Sequence, residues 1–77
     1  MKDIWVYQLL LNGNVVATTV VNDPSDTGCI GAKDANGIYQ QFDSYEMYNA
    51  YGWAEENGFK LRSCKKTIEI TEQDFAQ

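Results

Sequence analysis

Residues 4–21 read IWVYQLLLNGNVVATTVV, two β-rich runs around a single Asn12-Gly13 pair. A two-residue turn of the I′ type needs positive φ at both central positions, which Asn and Gly tolerate best. Ile4–Leu11 is therefore predicted to pair antiparallel with Asn14–Val21. The short loop fixes the register, with Leu10 opposite Val15, Val6 opposite Thr19 and Ile4 opposite Val21. One side of that ribbon carries Ile4, Val6, Gln8, Leu10, Val15, Ala17, Thr19 and Val21. The other carries Trp5, Tyr7, Leu9, Leu11, Asn14, Val16, Thr18 and Val20. Neither side is polar, whereas a sheet with one wet face alternates cleanly. One short helix cannot cover both, so the remaining face must meet a second sheet layer, a second copy of the chain or a partner.

Working outward, Asn22–Gly28 (NDPSDTG) is a loop, with Pro24 unable to donate to a ladder and Asp23 and Asp26 suited to Asx turns. Cys29–Asp34 and Ile38–Phe42 flank a second Asn-Gly pair, Asn36-Gly37, and are predicted to form another hairpin, weakened by Gly31. A helix is predicted over about 44–57. Asp43 at the N-cap with Glu46 three residues on makes a capping box, Phe42 and Met47 a hydrophobic staple, and Asn57-Gly58 a left-handed stop with Phe59 folded back. In the strand FKLRSCKKTIEIT (59–71), Phe59 and Leu61 are odd-numbered but Ile68 and Ile70 even, which predicts a bulge or turn near Ser63–Lys66. The tail TEQDFAQ is read as a short terminal turn. The expected fold class is α+β: an antiparallel sheet built from two hairpins plus a C-terminal strand, with the helix packed on one face.

Seventy-seven residues make a single domain, 1–77, and 44% apolar residues with ten aromatics fit a folded globule. The formal charge of −5 is uneven. Residues 1–59 carry eight acids against Lys2 and Lys33; residues 60–66 (KLRSCKK) carry four bases; residues 67–77 carry Glu69, Glu72 and Asp74. An acidic balance favours encounter with basic partners and disfavours nucleic acid. Cys29 and Cys64 are too few for a disulfide framework and are read as buried thiols, with a single bridge between them left open. Asp3 and Gln8 spoil the resemblance of the N-terminus to a signal peptide, and no apolar run approaches the ~20 residues needed to span a bilayer. A cytoplasmic location is expected.

Catalytic chemistry has little to draw on. The chain has no His, and Ser25, Ser44, Ser63, Cys29 and Cys64 stand in no nucleophile–base motif. Glu55-Glu56 point about 100° apart on a helix, a poor geometry for a shared substrate. No enzymatic activity, metal or cofactor is expected. Asp34–Gly37 matches part of a calcium loop, but Ala32 occupies the first ligand position and turn geometry already explains the Asn-Gly pair. Lys60, Arg62, Lys65 and Lys66 are candidate phosphate contacts, or lysines that block edge pairing.

The stretch 42–59, FDSYEMYNAYGWAEENGF, holds six of the ten aromatic residues. At 100° per residue, Met47, Ala50, Tyr51 and Ala54 form the buried stripe, with Tyr48 on its flank. Tyr45, Asn49, Gly52 and Glu56 lie opposite, with Trp53 and Glu46 at one margin. A mid-helix Gly costs ~1 kcal/mol relative to Ala, and on an outward face it lets another backbone or ring approach. Tyr45, Glu46, Asn49, Gly52, Trp53, Glu55 and Glu56 are thus the candidate partner-binding residues.

Small size, acidity, absent catalytic groups and a ββ…α…β plan, with the hairpin-to-helix segment Gly37-Ile38-Tyr39-Gln40-Gln41-Phe42-Asp43-Ser44, together resemble the anti-CRISPR proteins of phages and mobile elements. The resemblance covers the general plan. It implies an inhibitor in the host cytoplasm that blocks a basic nucleic-acid-binding protein or complex, with Tyr45, Glu46, Trp53, Glu55 and Glu56 as contacts. The expected function is a non-enzymatic, acidic protein-binding module. The alternatives are self-assembly, as a homodimer through the Ile4–Val21 hairpin, and nucleic-acid binding through residues 60–66.

Overall fold

The computed structural model describes residues 2–68. Five strands form two antiparallel sheets, β1 (Lys2–Leu11), β2 (Asn14–Val21), β3 (Gly28–Lys33), β4 (Tyr39–Ser44) and β5 (Lys60–Ile68). A 3-10 turn (Met47–Asn49) runs directly into α1 (Ala50–Glu56). The three-stranded sheet has the order β2-β1-β5, and β3 pairs with β4 in a second sheet that lies beside β2. The fold is α+β, as expected, but divided into two sheets.

Asn12 and Gly13 take φ of 52° and 82°, so the first turn has the positive dihedrals its residues allow. The register beyond it differs from the expected one. Leu11 faces Asn14 and Leu10 faces Val15, but Leu9 faces Ala17, so Val16 is an extra residue without a partner. From there Tyr7 faces Thr19, Val6 faces Val20 and Trp5 faces Val21. This bulge brings Ala17, Thr19 and Val21 onto the face of Trp5, Tyr7 and Leu9.

That side is the core. Tyr7, Leu9 and Leu61 of the sheet pack with Ile30, Ala32 and Phe42 of the second sheet and with Met47, Ala50, Ala54 and Phe59. Tyr7 is 2% exposed and Leu9 and Met47 are 0%. Burial pushes the Tyr7 phenol up from its ordinary range, with Tyr51 and Asp23 adding to it. Burial of this extent makes Met47→Ala a change of about 2–5 kcal/mol.

The helix starts later than its sequence signals suggested. Asp43 and Ser44 finish β4, and the extended Glu46 precedes the 3-10 turn without a side-chain cap bond. The capping box does not form because Asp43 still belongs to β4, opposite Cys29, and no helical turn starts there. The backbone amides of Met47 and Tyr48 donate to the carbonyls of Asp26 and Pro24, both at 3.1 Å. The β2–β3 loop thereby satisfies amides that would otherwise be orphaned. The C-terminal stop is as expected. Gly58 has φ 80°, and Phe59 N–H reaches back to the Ala54 carbonyl at 2.8 Å in a Schellman arrangement.

Two further expectations are corrected. β5 pairs with β1 without interruption from Leu10–Lys60 to Lys2–Ile68, so no kink lies near Ser63–Lys66. The one-residue slip sits in β2 instead, at Val16; Ile70 and the terminal turn fall outside the described residues. Cys29 and Cys64 are free and exposed, not buried. The second hairpin forms, closed by Asp34, whose Oδ1 accepts the amides of Asn36 and Ile38 at 2.9 and 3.0 Å. Gln40 Nε2 donates to its other oxygen at 3.1 Å. Gly31 in β3 is required there: a Cβ would lie 2.6 Å from the Tyr39 hydroxyl and 2.8 Å from the Gln40 carbonyl oxygen.

Two glycines should therefore respond oppositely to alanine. Gly31→Ala should lower stability by about 1–3 kcal/mol, because the backbone of Gln40 must move. A Cβ on Gly52 meets nothing within 4 Å, so Gly52→Ala should raise stability by about 0.5–1 kcal/mol. Urea midpoints of the two variants check both signs.

Acid should loosen the second hairpin. The amide of Ile38, Gln40 and the amide of Asn36 hold the Asp34 carboxyl below its ordinary 3.8. A depressed folded value contributes stability that is present above the unfolded value and lost as pH falls through the folded one. The loss should begin near 3.8, and Asp34→Asn should flatten that part of the stability–pH curve in equilibrium unfolding.

Candidate functional site

The face of the three-stranded sheet opposite the core is assembled by strand alternation and the bulge. On β1, Ile4, Val6, Gln8 and Leu10 point away from Tyr7 and Leu9. Opposite them on β2 stand Val15, Thr18 and Val20, and on β5 Lys60, Arg62, Cys64 and Lys66. None of these residues is buried, whereas the reverse side of the same strands holds Tyr7, Leu9, Val21 and Leu61. Val20 is 53% exposed. The face has an aliphatic centre and a cationic edge, and among its described residues it carries neither a carboxylate nor an aromatic ring.

One cation on this edge is held in place. Arg62 Nε donates to Gln8 Oε1 at 2.8 Å, across the β5–β1 pair, which lays the guanidinium over the sheet. Val6, Gln8, Arg62, Cys64 and Lys66 surround a hollow of about 400 Å³. It opens where the small Cys64 side chain stands between two longer cationic ones. Lys65 belongs to the other face. It pairs with Asp3 at 3.4 Å and lies 5.9 Å from the Trp5 ring centroid, so it does not join Lys60, Arg62 and Lys66. Among the described residues, those three have no ion-pair partner. Thr67, with Lys65 beside it, holds the Asp3 carboxyl below the usual range.

The residues expected on an outer helix surface are dispersed. Tyr45 is 84% exposed but sits in the bend before the helix, against a depression lined by Thr27, Asp43 and Ser44. Gly52 lines a separate shallow groove between α1 and β5 with Tyr51, Glu55, Phe59 and Lys60. Trp53 is half-buried on the core side, stacked on Phe59 at 5.8 Å between centroids and tilted against Phe42 at 5.8 Å. The three aromatics of that cluster saturate one another, so Trp53 has no share in an outer patch with Tyr45 and Gly52. Glu46 accepts from Asn49 Nδ2 at 3.0 Å and raises the Tyr48 phenol. Glu55 and Glu56 are exposed.

Tyr51, placed in the buried stripe by helical periodicity, is 43% exposed. Its hydroxyl shares a 2.6 Å hydrogen bond with Ser63 Oγ, and its ring meets Tyr7 edge-on at 6.1 Å. The 3-10 turn shifts the phase of the first helical residues and carries Tyr51 toward β5. Of the sheet-face residues, the even spacing of Lys60, Arg62 and Lys66 was readable beforehand. Ile4, Val6, Leu10 and Val15 were readable as one side of the hairpin; Val20 joins them only through the bulge, and the cations join them only through the β1–β5 pairing.

A scan against protein-family models, a search of curated proteins and a search of solved structures return no match to this chain. Among the described residues no group of three or more potential ligands could hold a metal ion, and no helix is long and apolar enough to cross a membrane.

Exposure of Cys64 gives a direct check on the face. In the Cys29→Ser variant, Cys64 should react with a thiol reagent in the folded protein at a rate within about tenfold of the urea-unfolded chain. Protection beyond a hundredfold would mean that something covers the hollow.

Proposed function

We propose that the chain is a non-enzymatic protein-binding module whose docking surface is the outer face of the β2-β1-β5 sheet. The observation that supports this reading is an aliphatic area across β1 and β2, edged by the cations of β5, over which no described element of the chain packs. Isolated apolar residues are ordinary on a surface, but a contiguous set across two paired strands favours a partner. The carboxylates with shifted protonation, Asp3, Asp23 and Asp34, are each tied to a turn or a strand end, which gives them structural work and leaves catalysis without a candidate. Acting by occupancy of a partner's surface suits the anti-CRISPR-like plan, with inhibition as the outcome.

A second reading places the partner on the acidic side of α1. Gly52 with open space above it, between exposed Glu55 and Glu56, favours a basic partner there. Trp53 is withdrawn from that surface, and Tyr45 lies at its far end.

Affinity capture from a lysate of the source cells separates the two. The variant Val20→Glu/Arg62→Glu should lose the captured protein, while Tyr45→Ala/Glu55→Lys/Glu56→Lys should keep it. The reverse pattern would favour the helix, and retention by both variants would remove the protein-binding reading altogether.

A further inference from the structure

The chemistry of the outer sheet face narrows the kind of partner it can take. Its cations are Lys60, Arg62 and Lys66, set at even positions along the edge strand β5. Its centre is Ile4, Val6 and Leu10, continued by Val15 and Val20 on β2. Among the described residues none of the three has an ion-pair partner, with Glu55 only sharing the groove beside Lys60, in a protein whose formal charge is −5. Positive charge without an ion-pair partner therefore coincides with an apolar surface that no described element covers.

Three occupants can be weighed against that composition. Single-stranded nucleic acid binds by stacking bases on aromatic side chains above a basic groove, and this face has aliphatic residues where such rings would be. A second copy fares no better. Strand-aligned, face-to-face pairing about a two-fold axis along the strands lays β5 of one copy over β2 of the other, cations on valines. An axis across the strands lays β5 on β5, cations on cations. Both arrangements bury charge without a counter-charge, which is strongly unfavourable. A protein segment that alternates carboxylates with aliphatic side chains satisfies both halves of the face at once.

The hollow beside Arg62 gives such a segment an anchoring point. Gln8 holds Nε of Arg62, so the guanidinium is fixed before binding and its terminal N–H groups can meet a carboxylate in the two-pronged manner. Lys66 stands across the hollow, and Val6 and Cys64 contribute to its lining. Fixing the arginine in advance reduces the side-chain ordering that binding would otherwise require.

We infer that the outer face of the β2-β1-β5 sheet is a receptor for an acidic, aliphatic-rich segment of a partner protein, with one carboxylate of that segment seated between Arg62 and Lys66. This rests on the reading of that face as the docking surface and adds the chemical class of its occupant. It also inverts the simplest expectation from net charge, since an acidic protein here presents its basic strand to an acidic ligand.

The test is selection of a random dodecapeptide phage library on the immobilised full-length chain, followed by NMR titration of the enriched peptides and of a dT20 oligonucleotide. Enriched peptides should carry Asp or Glu beside Leu, Ile or Val, and should shift the amides of Val6, Gln8, Arg62 and Cys64. Arg62→Gln/Lys66→Gln should weaken them at least about tenfold, the scale of a lost charge-assisted hydrogen bond. Replacing their acids by amides should do the same. Failure to enrich, enrichment of basic or aromatic peptides, or tighter binding of dT20 than of any peptide would each overturn the inference. So would concentration-dependent dimerisation that Arg62→Gln abolishes. A failure here with capture still lost in Val20→Glu/Arg62→Glu would reject the acidic ligand alone, whereas capture unchanged in that variant would reject the docking surface itself.

Discussion

Strand β1 is hydrogen-bonded on both edges and apolar on both faces, and the described elements cover only one of them. The rest of the architecture follows from that asymmetry. The face with Tyr7 and Leu9 receives the second sheet, the 3-10 turn and α1, and becomes the core. The face with Val6 and Leu10 receives nothing among the described residues. In a chain of 77 residues the fraction of surface that can be buried is low. The second apolar face of the central strand is therefore left open among the described residues.

The bulge at Val16 is the device that makes the division workable. An uninterrupted register would put Ala17, Thr19 and Val21 on the open side and leave Thr18 and Val20 facing the core. With the extra residue, Ala17 and Val21 turn to the core while Thr18 and Val20 turn out, so each side of β2 keeps a valine and Val20 stands on the open face beside Val6. The helix is positioned by a similar economy. Carbonyls of the β2–β3 loop satisfy its first amides, which ties the element that covers the core to the strand the bulge has shifted. Phe42, Trp53 and Phe59 then close the helix end of the core.

Most of the elements were legible in the sequence because turn chemistry is local. Asn12-Gly13, Asn36-Gly37 and Asn57-Gly58 each mark a real reversal or stop, and Gly13, Gly37 and Gly58 all have positive φ. What was not legible depends on competition between distant groups. Asp43 and Glu46 have the spacing of a capping box, yet pairing with Cys29 of β3 keeps Asp43 in a strand. The odd-to-even change between Leu61 and Ile68 suggested a kink, yet β1 holds β5 straight across it. Trp53 looked marginal by helical angle, yet Phe59, brought back by the Gly58 stop, provides a ring to stack on. The cationic row on β5 could be read from its spacing. Ile4, Val6, Leu10 and Val15 were also legible as one side of the hairpin, but Val20 was not, because a single unpaired residue decides which side of β2 it takes.

Two surfaces therefore differ in kind. The flank of α1 is acidic, broken into separate shallow grooves, and its aromatic residues are divided between solvent and core. The outer sheet face is continuous, built on three paired strands, and preorganised at Arg62. Sites on strands hold their geometry better than sites on loops, which favours the sheet as the surface that carries function. The most direct measurement is the amide spectrum of the isotope-labelled chain in buffer and in a lysate of its source cells. The account predicts selective broadening of Ile4, Val6, Leu10, Val20, Arg62 and Cys64, with Gly52, Glu55 and Glu56 unchanged. Broadening confined to the helix residues, or a spectrum that does not change, would contradict it.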